Sequence, residues 1–445
     1  MGYDGVGIDF GTTNSAISVA LPEGGVQIVR FPAFGEVLPY YRSVVFFEPP
    51  EGLRSVPGVK AGPEGMEAYI AGDEGRLMQS LKSFLPSRLV TRTQVYNRAY
   101  ALEEILGAFL KRMRESAERS LGPLGARAVV GRPVRFVKDA EDDDHPDALA
   151  LDRLQKAFAF AGFHEIELAH EPVAAALAFE AAHVGIGRQS VVLVGDFGGG
   201  TSDFSIMRVG AERAVLSTAG VPLAGDRFDA RIVQHVVAPR LGMGTHYRRG
   251  RLAGDKPIEV PRWIYKNLER WHHLSFLRGA ETMHLLREIA DGSDAPERLR
   301  MLMSLVRENL GFHLYRAVER TKVALSTAEE TRMVFDHADV QLSARITRVE
   351  FESWIAPELA QIEAGVDEVL RSAGLGPADV DRVFLTGGTA FVPSVRRIFE
   401  ARFGTARLSG GNELTSVVYG LAEFARRNAR PTGVPVEPAR RSQPD

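Results

Sequence analysis

Two short stretches of this 445-residue chain combine an aspartate, a glycine-rich tip and threonine, GIDFGTTNS at Gly7–Ser15 and DFGGGTSD at Asp196–Asp203. A tip of glycine and threonine turns several backbone N–H groups toward one point, because glycine reaches the required dihedrals and leaves no side chain in the way. Such a tip is an anion site. In the first stretch Gly11, Thr12, Thr13 and Asn14 make the tip, and the threonine hydroxyls suit phosphate oxygens. Asp9 stands just before it, where a carboxylate can hold a magnesium-bound water. In the second, Gly198, Gly199 and Gly200 admit a terminal phosphate to the backbone, Thr201 bonds its oxygens, and Asp196 faces the metal from across a cleft. Either loop alone is as well explained by an ordinary tight hairpin. Two with one layout, and no GxxxxGK[ST] or strand-linked GxGxxG anywhere, argue for a polyphosphate grip of another kind.

Tips of this sort need strands on both sides. Apolar runs at residues 5–10 and 16–21 flank the first, and runs at 190–197 and 204–209 flank the second, so two related lobes are expected. A third strand-to-glycine junction, VFLTGG at Val383–Gly388, runs toward a helical segment at 394–403. Helical periodicity marks residues 102–119, 148–161, 172–182, 299–326 and 353–372, and the alternation of strands with helices predicts an α/β class. DAEDDDHPD at Asp139–Asp147 reads as a solvated loop. Residues 428–445 carry almost nothing large and apolar and are expected to form a disordered tail.

Bulk properties exclude several classes. A formal charge of −3 with mixed signs leaves no footprint for nucleic acid or an anionic membrane. Without cysteine there is no disulfide framework, thiolate metal site or cysteine nucleophile. The N-terminal MGYDGVGIDFG has no basic region followed by an apolar run, and no stretch suits a membrane span, so a cytoplasmic location is expected. His272, His273, His284 and His313 lack the HExxH spacing of a zinc site, and no transition metal is expected.

With these residues in view, GIDFGTTNS resembles the first phosphate loop of the DnaK-type heat-shock chaperones of the actin-like ATPase superfamily, and DFGGGTSD resembles their second. AHEPVAAALAFE at Ala169–Glu180 resembles their connecting helix, which implies that Glu171 lies near the magnesium shell and the attacking water. VERTKVALS at Val318–Ser326 resembles their adenosine-binding helix, LTGGTAFVP at Leu385–Pro393 their adenosine loop, and SLKSFLP at Ser80–Pro86 their lysine segment. The resemblance thus implies an ATPase with ATP/ADP and Mg2+, K+ being a further candidate ion. Lys82 and Glu171 place the water, Asp9 and Asp196 organise magnesium, and Thr12, Thr13 and Thr201 hold phosphates. Gly225, Glu319, Lys322, Ser326, Gly387, Gly388, Thr389 and Phe391 surround the adenosine. Spacing supports one part independently, since Glu319, Lys322 and Ser326 fall on one helix face.

The implied layout is a first lobe at residues 1–185, with an outer part at 36–100, and a second lobe at 186–427, with an outer part at 224–327. The chain departs from the family pattern at Phe391, where an arginine is usual, at Ala224-Gly225 in place of a double glycine, and at Asn412–Ser416. No peptide-binding domain is expected in this chain, whose short layout resembles the truncated YegD-type homologues. The expected function is a slow ATP-dependent switch, resembling the nucleotide-binding part of these chaperones, that acts on a protein partner or co-chaperone. A nucleotide-binding pseudoenzyme, a filament-forming ATPase and a small-molecule kinase are the competing readings.

Overall fold

The computed structural model describes residues 3–52, 55–88, 90–133, 136, 146–182, 189–210, 214–248, 256–269, 271–337, 339–409 and 415–428. Residues 429–445 of the expected tail, most of the aspartate run and Asn412–Leu414 lie outside the described residues.

Each glycine tip closes a hairpin at the centre of a sheet. In the first sheet β1 (Gly5–Asp9) and β2 (Asn14–Ala20) run antiparallel with Asp9 opposite Ala16, and β3 (Val26–Ile28) adds antiparallel to β2. On the other side β4 (Arg127–Arg132) lies parallel to β1, and β5 (Glu165–His170) parallel to β4. The second sheet repeats this plan. Its β6 (Ser190–Phe197) and β7 (Ser202–Val209) form the hairpin, and β8 (Ala214–Val221) extends it. There β9 (Arg382–Thr386) and β10 (Leu408–Ser409) lie parallel on the far side of β6. In both sheets the order is third, second, first, fourth, fifth strand, with the same relative directions. Hydrophobic runs buried on both faces explain the central strands: Ile8, Ile17 and Val19 in one sheet and Leu193, Val194 and Ile206 in the other are buried.

Helices cover the sheets. Helices α1 (Leu102–Leu121) and α2 (Pro146–Phe160) share a core with the first sheet through Ile105, Phe109, Leu154 and Phe158. Between the sheets, α3 (Glu171–Ala182) contributes Ala174 and Phe179 to a core shared with Val129 of the first sheet and Val192 and Phe384 of the second. In the second half α4 (Gly225–Ile232), α5 (Gly311–Thr327), α6 (Ala356–Ala373) and α7 (Pro393–Phe403) contribute Phe228, Leu314, Val366 and Phe399 to one large cluster. The last helix, α8 (Ser416–Arg427), returns to the middle core and lies so close to its neighbours that a β-carbon on Gly420 would fall 1.7 Å from the carbonyl oxygen of Ala174.

Two predicted helices are broken in the structure. Residues 299–326 divide into Pro296–Arg307 and α5, with Asn309 between them at φ 55°. Asparagine tolerates the left-handed conformation, and here its amide is also engaged: the Tyr69 hydroxyl donates to its Oδ1 at 2.8 Å. Its Nδ2 donates to the Tyr69 carbonyl at 3.3 Å. The apolar stripe runs on through the break, so periodicity does not reveal it. Residues 353–372 likewise divide at Ile355, because Pro357 in the first turn of α6 has no N–H to continue the preceding helix. The earlier piece starts at Arg348, capped by a reciprocal Thr347–Glu350 pair.

Candidate nucleotide site

The C-terminal ends of β1, β4 and β5 lie along one edge of the first sheet, and those of β6 and β9 along the corresponding edge of the second. Ligands of open α/β sheets gather at such edges, where strand order reverses. Asp9 ends β1, Asp196 sits near the end of β6, and Glu171 opens α3 directly after β5. A β-carbon on Gly131 would fall 3.3 Å from Glu171 Cγ and 3.8 Å from Asp9 Oδ1, so these two carboxylates stand side by side.

Lys82 meets them from a short 3-10 turn, Leu81–Phe84, and its Nζ donates to Glu171 Oε1 at 2.9 Å. Both side chains are nearly sealed, 13% and 15% exposed. Burial disfavours the Lys82 charge, but Glu171, Asp9 and Asp196 outweigh it and hold the ammonium above its ordinary value. The carboxylates show the opposite imbalance. Burial first and Glu171 second push Asp9 up to about 7, against Lys82. Burial, then Glu171, Asp203 and Asp9, push Asp196 well above the usual carboxylate range. Asp203, opposite Asp196 across the hairpin, accepts the Thr201 hydroxyl at 3.0 Å. Three carboxylates, Glu171, Asp9 and Asp196, therefore stand about one ammonium, a charge deficit that a divalent cation would correct.

The two tips face each other. A β-carbon on Gly199 would fall 2.7 Å from Thr13 Oγ1, while the Asp226 N–H at the start of α4 donates to the Gly199 carbonyl at 2.9 Å. The second tip is closed by the Gly198 N–H donating to the Thr201 carbonyl at 2.9 Å. At the first, the Gly11 N–H donates to Ser15 Oγ at 3.2 Å. Gly200 has open space on its side-chain side, as an incoming phosphate would need.

A second group of expected residues converges at Gly225, where a β-carbon would lie 3.0 Å from Thr389 Oγ1 and 3.3 Å from Lys322 Nζ. Lys322 is not free to serve a ligand alone: its ammonium pairs with Asp229 Oδ2 at 2.8 Å and reaches the Gly225 carbonyl at 3.4 Å. Burial pushes Asp229 up to about 6 against this lysine, and its buried Oδ1 has no partner. Ser326 turns back to the Lys322 carbonyl at 3.3 Å. Glu319 is half-buried on the same helix face. Gly387, at φ 88°, could not be another residue, since a β-carbon would sit 2.0 Å from the Phe197 carbonyl oxygen. It leads into a 3-10 turn, Gly388–Phe391, that leaves Phe391 50% exposed; Val323, next to Lys322, is 60% exposed. Two apolar side chains thus stand open beside this group.

Sequence reasoning passed over Asp203, Asp229 and Arg42. Asp203 lay inside the DFGGGTSD stretch, but only the strand register, which sets it opposite Asp196, distinguishes it from a surface aspartate on a strand. Arg42, on a two-residue strand paired with Asn14 and Ser15, donates to Asn14 Oδ1 at 3.4 Å and stands 5.7 Å from the centre of the Tyr315 ring. No local pattern announces either contact.

A sequence model of the family described as Hsp70 protein matches residues 72–241 and 307–426, more than half of the chain. The chain belongs to the Hsp70 family. Its duplicated sheets are accordingly those of the actin-like ATPase fold, and the family consists of ATP-binding chaperone ATPases. The DnaK chaperone of Thermotoga petrophila is 27% identical over 427 residues, covering 94% of this chain and 58% of its own length. That of Thermus thermophilus is 28% identical over 414 residues, covering 90% and 57%. The Hsp70-family chain therefore spans under two thirds of the length of these curated relatives. Lys82, Glu171, the second tip and both adenosine segments lie within the matched residues; the first tip precedes them. Among the described residues, no helix is long and apolar enough to cross a membrane.

The residues present fit a hydrated magnesium ion. No three carboxylates or imidazoles among the described residues converge closely enough to ligate a metal directly, and magnesium characteristically keeps several waters. A stability measurement tests the charge deficit. Asp9 has a raised value in the folded state, so between its ordinary value and about 7 the folded chain holds a proton that the unfolded chain has lost. Stability then falls as pH rises through that window, by at most about 1.4 kcal/mol per pH unit. Metal-free protein is expected to melt lower at pH 8 than at pH 5.5, and excess Mg-ADP should flatten the dependence. Equal melting temperatures at both pH values without metal would contradict this account.

Proposed function

We propose that this chain is a magnesium- and ATP-binding, slowly hydrolysing molecular switch of the chaperone type. The observation that carries the reading is the sealed Lys82–Glu171 pair at 2.9 Å, standing among aspartates at the ends of two facing phosphate tips. Thr12, Thr13, Asn14, Thr201 and the backbone of Gly11 and Gly198–Gly200 hold the phosphates. Asp9 and Asp196 would hold magnesium through its waters, and the ion, when bound, would neutralise phosphate charge. Lys82 and Glu171 orient one water in line with the γ-phosphorus. A bond forms from the water oxygen to phosphorus as the bond to the ADP oxygen breaks, and the water's proton leaves with the phosphate or solvent. The pair leaves two further N–H donors on Lys82 and the second carboxylate oxygen of Glu171 for that water. Gly225, Glu319, Lys322, Ser326, Gly387, Gly388, Thr389 and Phe391 hold the adenosine, with Asp229 orienting Lys322. The exposed Phe391 ring supplies the apolar face for adenine.

The lobes are assigned as residues 1–185 and 186–427. Their relative rotation is the output, read by a protein partner in the cytoplasm. The test is ATP binding and single-turnover hydrolysis with magnesium, on wild type and Phe391→Ala. Wild type is expected to bind and turn over slowly, and Phe391→Ala to lose about tenfold in adenine-nucleotide affinity, the scale of one stacked ring. Binding without turnover would convert the reading to a nucleotide-binding pseudoenzyme. No binding at all would overturn it.

A further inference from the structure

The turn that carries Lys82 has little means of holding its own shape. Leu81–Phe84 is a single 3-10 turn, and Ser80 before it sits in the left-handed region at φ 55°. A turn this short gains little from its own hydrogen bonds. Yet the Lys82 ammonium must stay within 2.9 Å of Glu171, although Glu171 is rooted at the end of β5 in another part of the chain.

One buried side chain spans that gap. Arg153 lies on α2, 6% exposed, and its Nη1 donates to the carbonyls of Phe84 at 3.1 Å, Leu85 at 3.0 Å and Ser87 at 2.7 Å. Its Nη2 donates to the carbonyl of Val90 at 2.9 Å. A planar guanidinium can grip four carbonyls at once, whereas a lysine ammonium in the same place has three donors around one atom. The helix that carries Arg153 is also the one that leads into β5 and so to Glu171. Both partners of the Lys82–Glu171 pair are therefore referenced to a single element: Glu171 through the chain and Lys82 through the guanidinium.

We infer that Arg153 is a positioning residue for Lys82, fixing the ammonium at the terminal phosphate and so setting the preference for ATP over ADP and the rate of hydrolysis. This rests on the proposed role of Lys82 in ATP hydrolysis. The test is a double-mutant cycle on the full chain with Arg153→Lys, Lys82→Ala and the pair of substitutions, reading magnesium-dependent ATP and ADP affinities and single-turnover rates. Arg153→Lys is expected to leave ADP affinity within about twofold, and to lower the ATP-over-ADP preference and the hydrolysis rate about tenfold. In the Lys82→Ala background the same change should alter the ATP-over-ADP preference by less than twofold, because the group being positioned is gone. Hydrogen exchange should rise in residues 80–90 and not in β6 or β9.

An additive loss in the double variant, or equal losses for ATP and ADP, would show that Arg153 serves general stability and overturn the inference. So would a wild-type ATP preference in Arg153→Lys. If wild type itself neither prefers ATP nor hydrolyses it, the functional reading fails first.

Discussion

Lys82→Ala is expected to reduce single-turnover hydrolysis by about 10²- to 10³-fold while leaving ADP affinity within about threefold. The size follows from what the ammonium does. A preorganised charge aimed at a developing transition state is worth about 3–4 kcal/mol where water is excluded, and Lys82 is 13% exposed. ADP lacks the phosphate that the ammonium addresses, so its binding should scarcely notice. A structural effect accompanies the loss: Glu171 would be left buried beside Asp9 and Asp196 with its nearest cation removed. Metal-free Lys82→Ala should therefore melt below wild type and recover in Mg-ADP. Rapid-quench measurement of phosphate release from preformed Mg-ATP complexes separates the two effects. Hydrolysis within about threefold of wild type would remove Lys82 from the mechanism, and with it the argument for Arg153.

The largest effect on folding is expected at Gly420. Helix propensity alone predicts that Gly420→Ala stabilises α8 by up to about 1 kcal/mol. The packing predicts the reverse, because the new β-carbon would fall 1.7 Å from the Ala174 carbonyl oxygen and 2.9 Å from its α-carbon, both backbone atoms with no rotamer to change. Relief requires α3 and α8 to part, and both contribute to the core shared by the two sheets. Overpacking costs of about 1–3 kcal/mol are typical where side chains can shift, so a clash against backbone should cost at least about 3 kcal/mol. Chemical denaturation reads this directly: a lower midpoint with an unchanged slope is expected for Gly420→Ala, and failure to fold for Gly420→Val. A midpoint at or above wild type for the alanine variant would mean that the helices are farther apart than described. Displacement here should also weaken ATP binding, since Glu171 opens the helix that would be pushed away.

Both predictions depend on geometry, but they were reachable from the sequence to different degrees. Lys82 and Glu171 could be nominated from SLKSFLP and AHEPVAAALAFE, and the structure places them in one ion pair. The hairpins tipped by Gly11 and Gly198–Gly200 were legible because a tight turn is local, requiring glycine between two apolar runs. Gly420 carried no such signal, since an isolated glycine in a helical pattern does not say what crosses it. The break at Asn309 was hidden for a similar reason: the partner that holds its amide, Tyr69, is far away in the chain.

By itself, the sequence determined most of the local elements and their chemical inventory: two hairpins with glycine tips, helices alternating with strands, and the residues proposed to hold phosphate and position water. Tertiary structure alone decided which charges share a solvent-poor space. It brought Asp9 beside Glu171, tied the segment that follows Lys82 to Arg153, and tied Lys322 to Asp229. The division has a physical cause. Backbone preference and hydrophobic period act over a few residues, whereas a pKa shift, a buried guanidinium or a helix crossing depends on atoms joined only by folding.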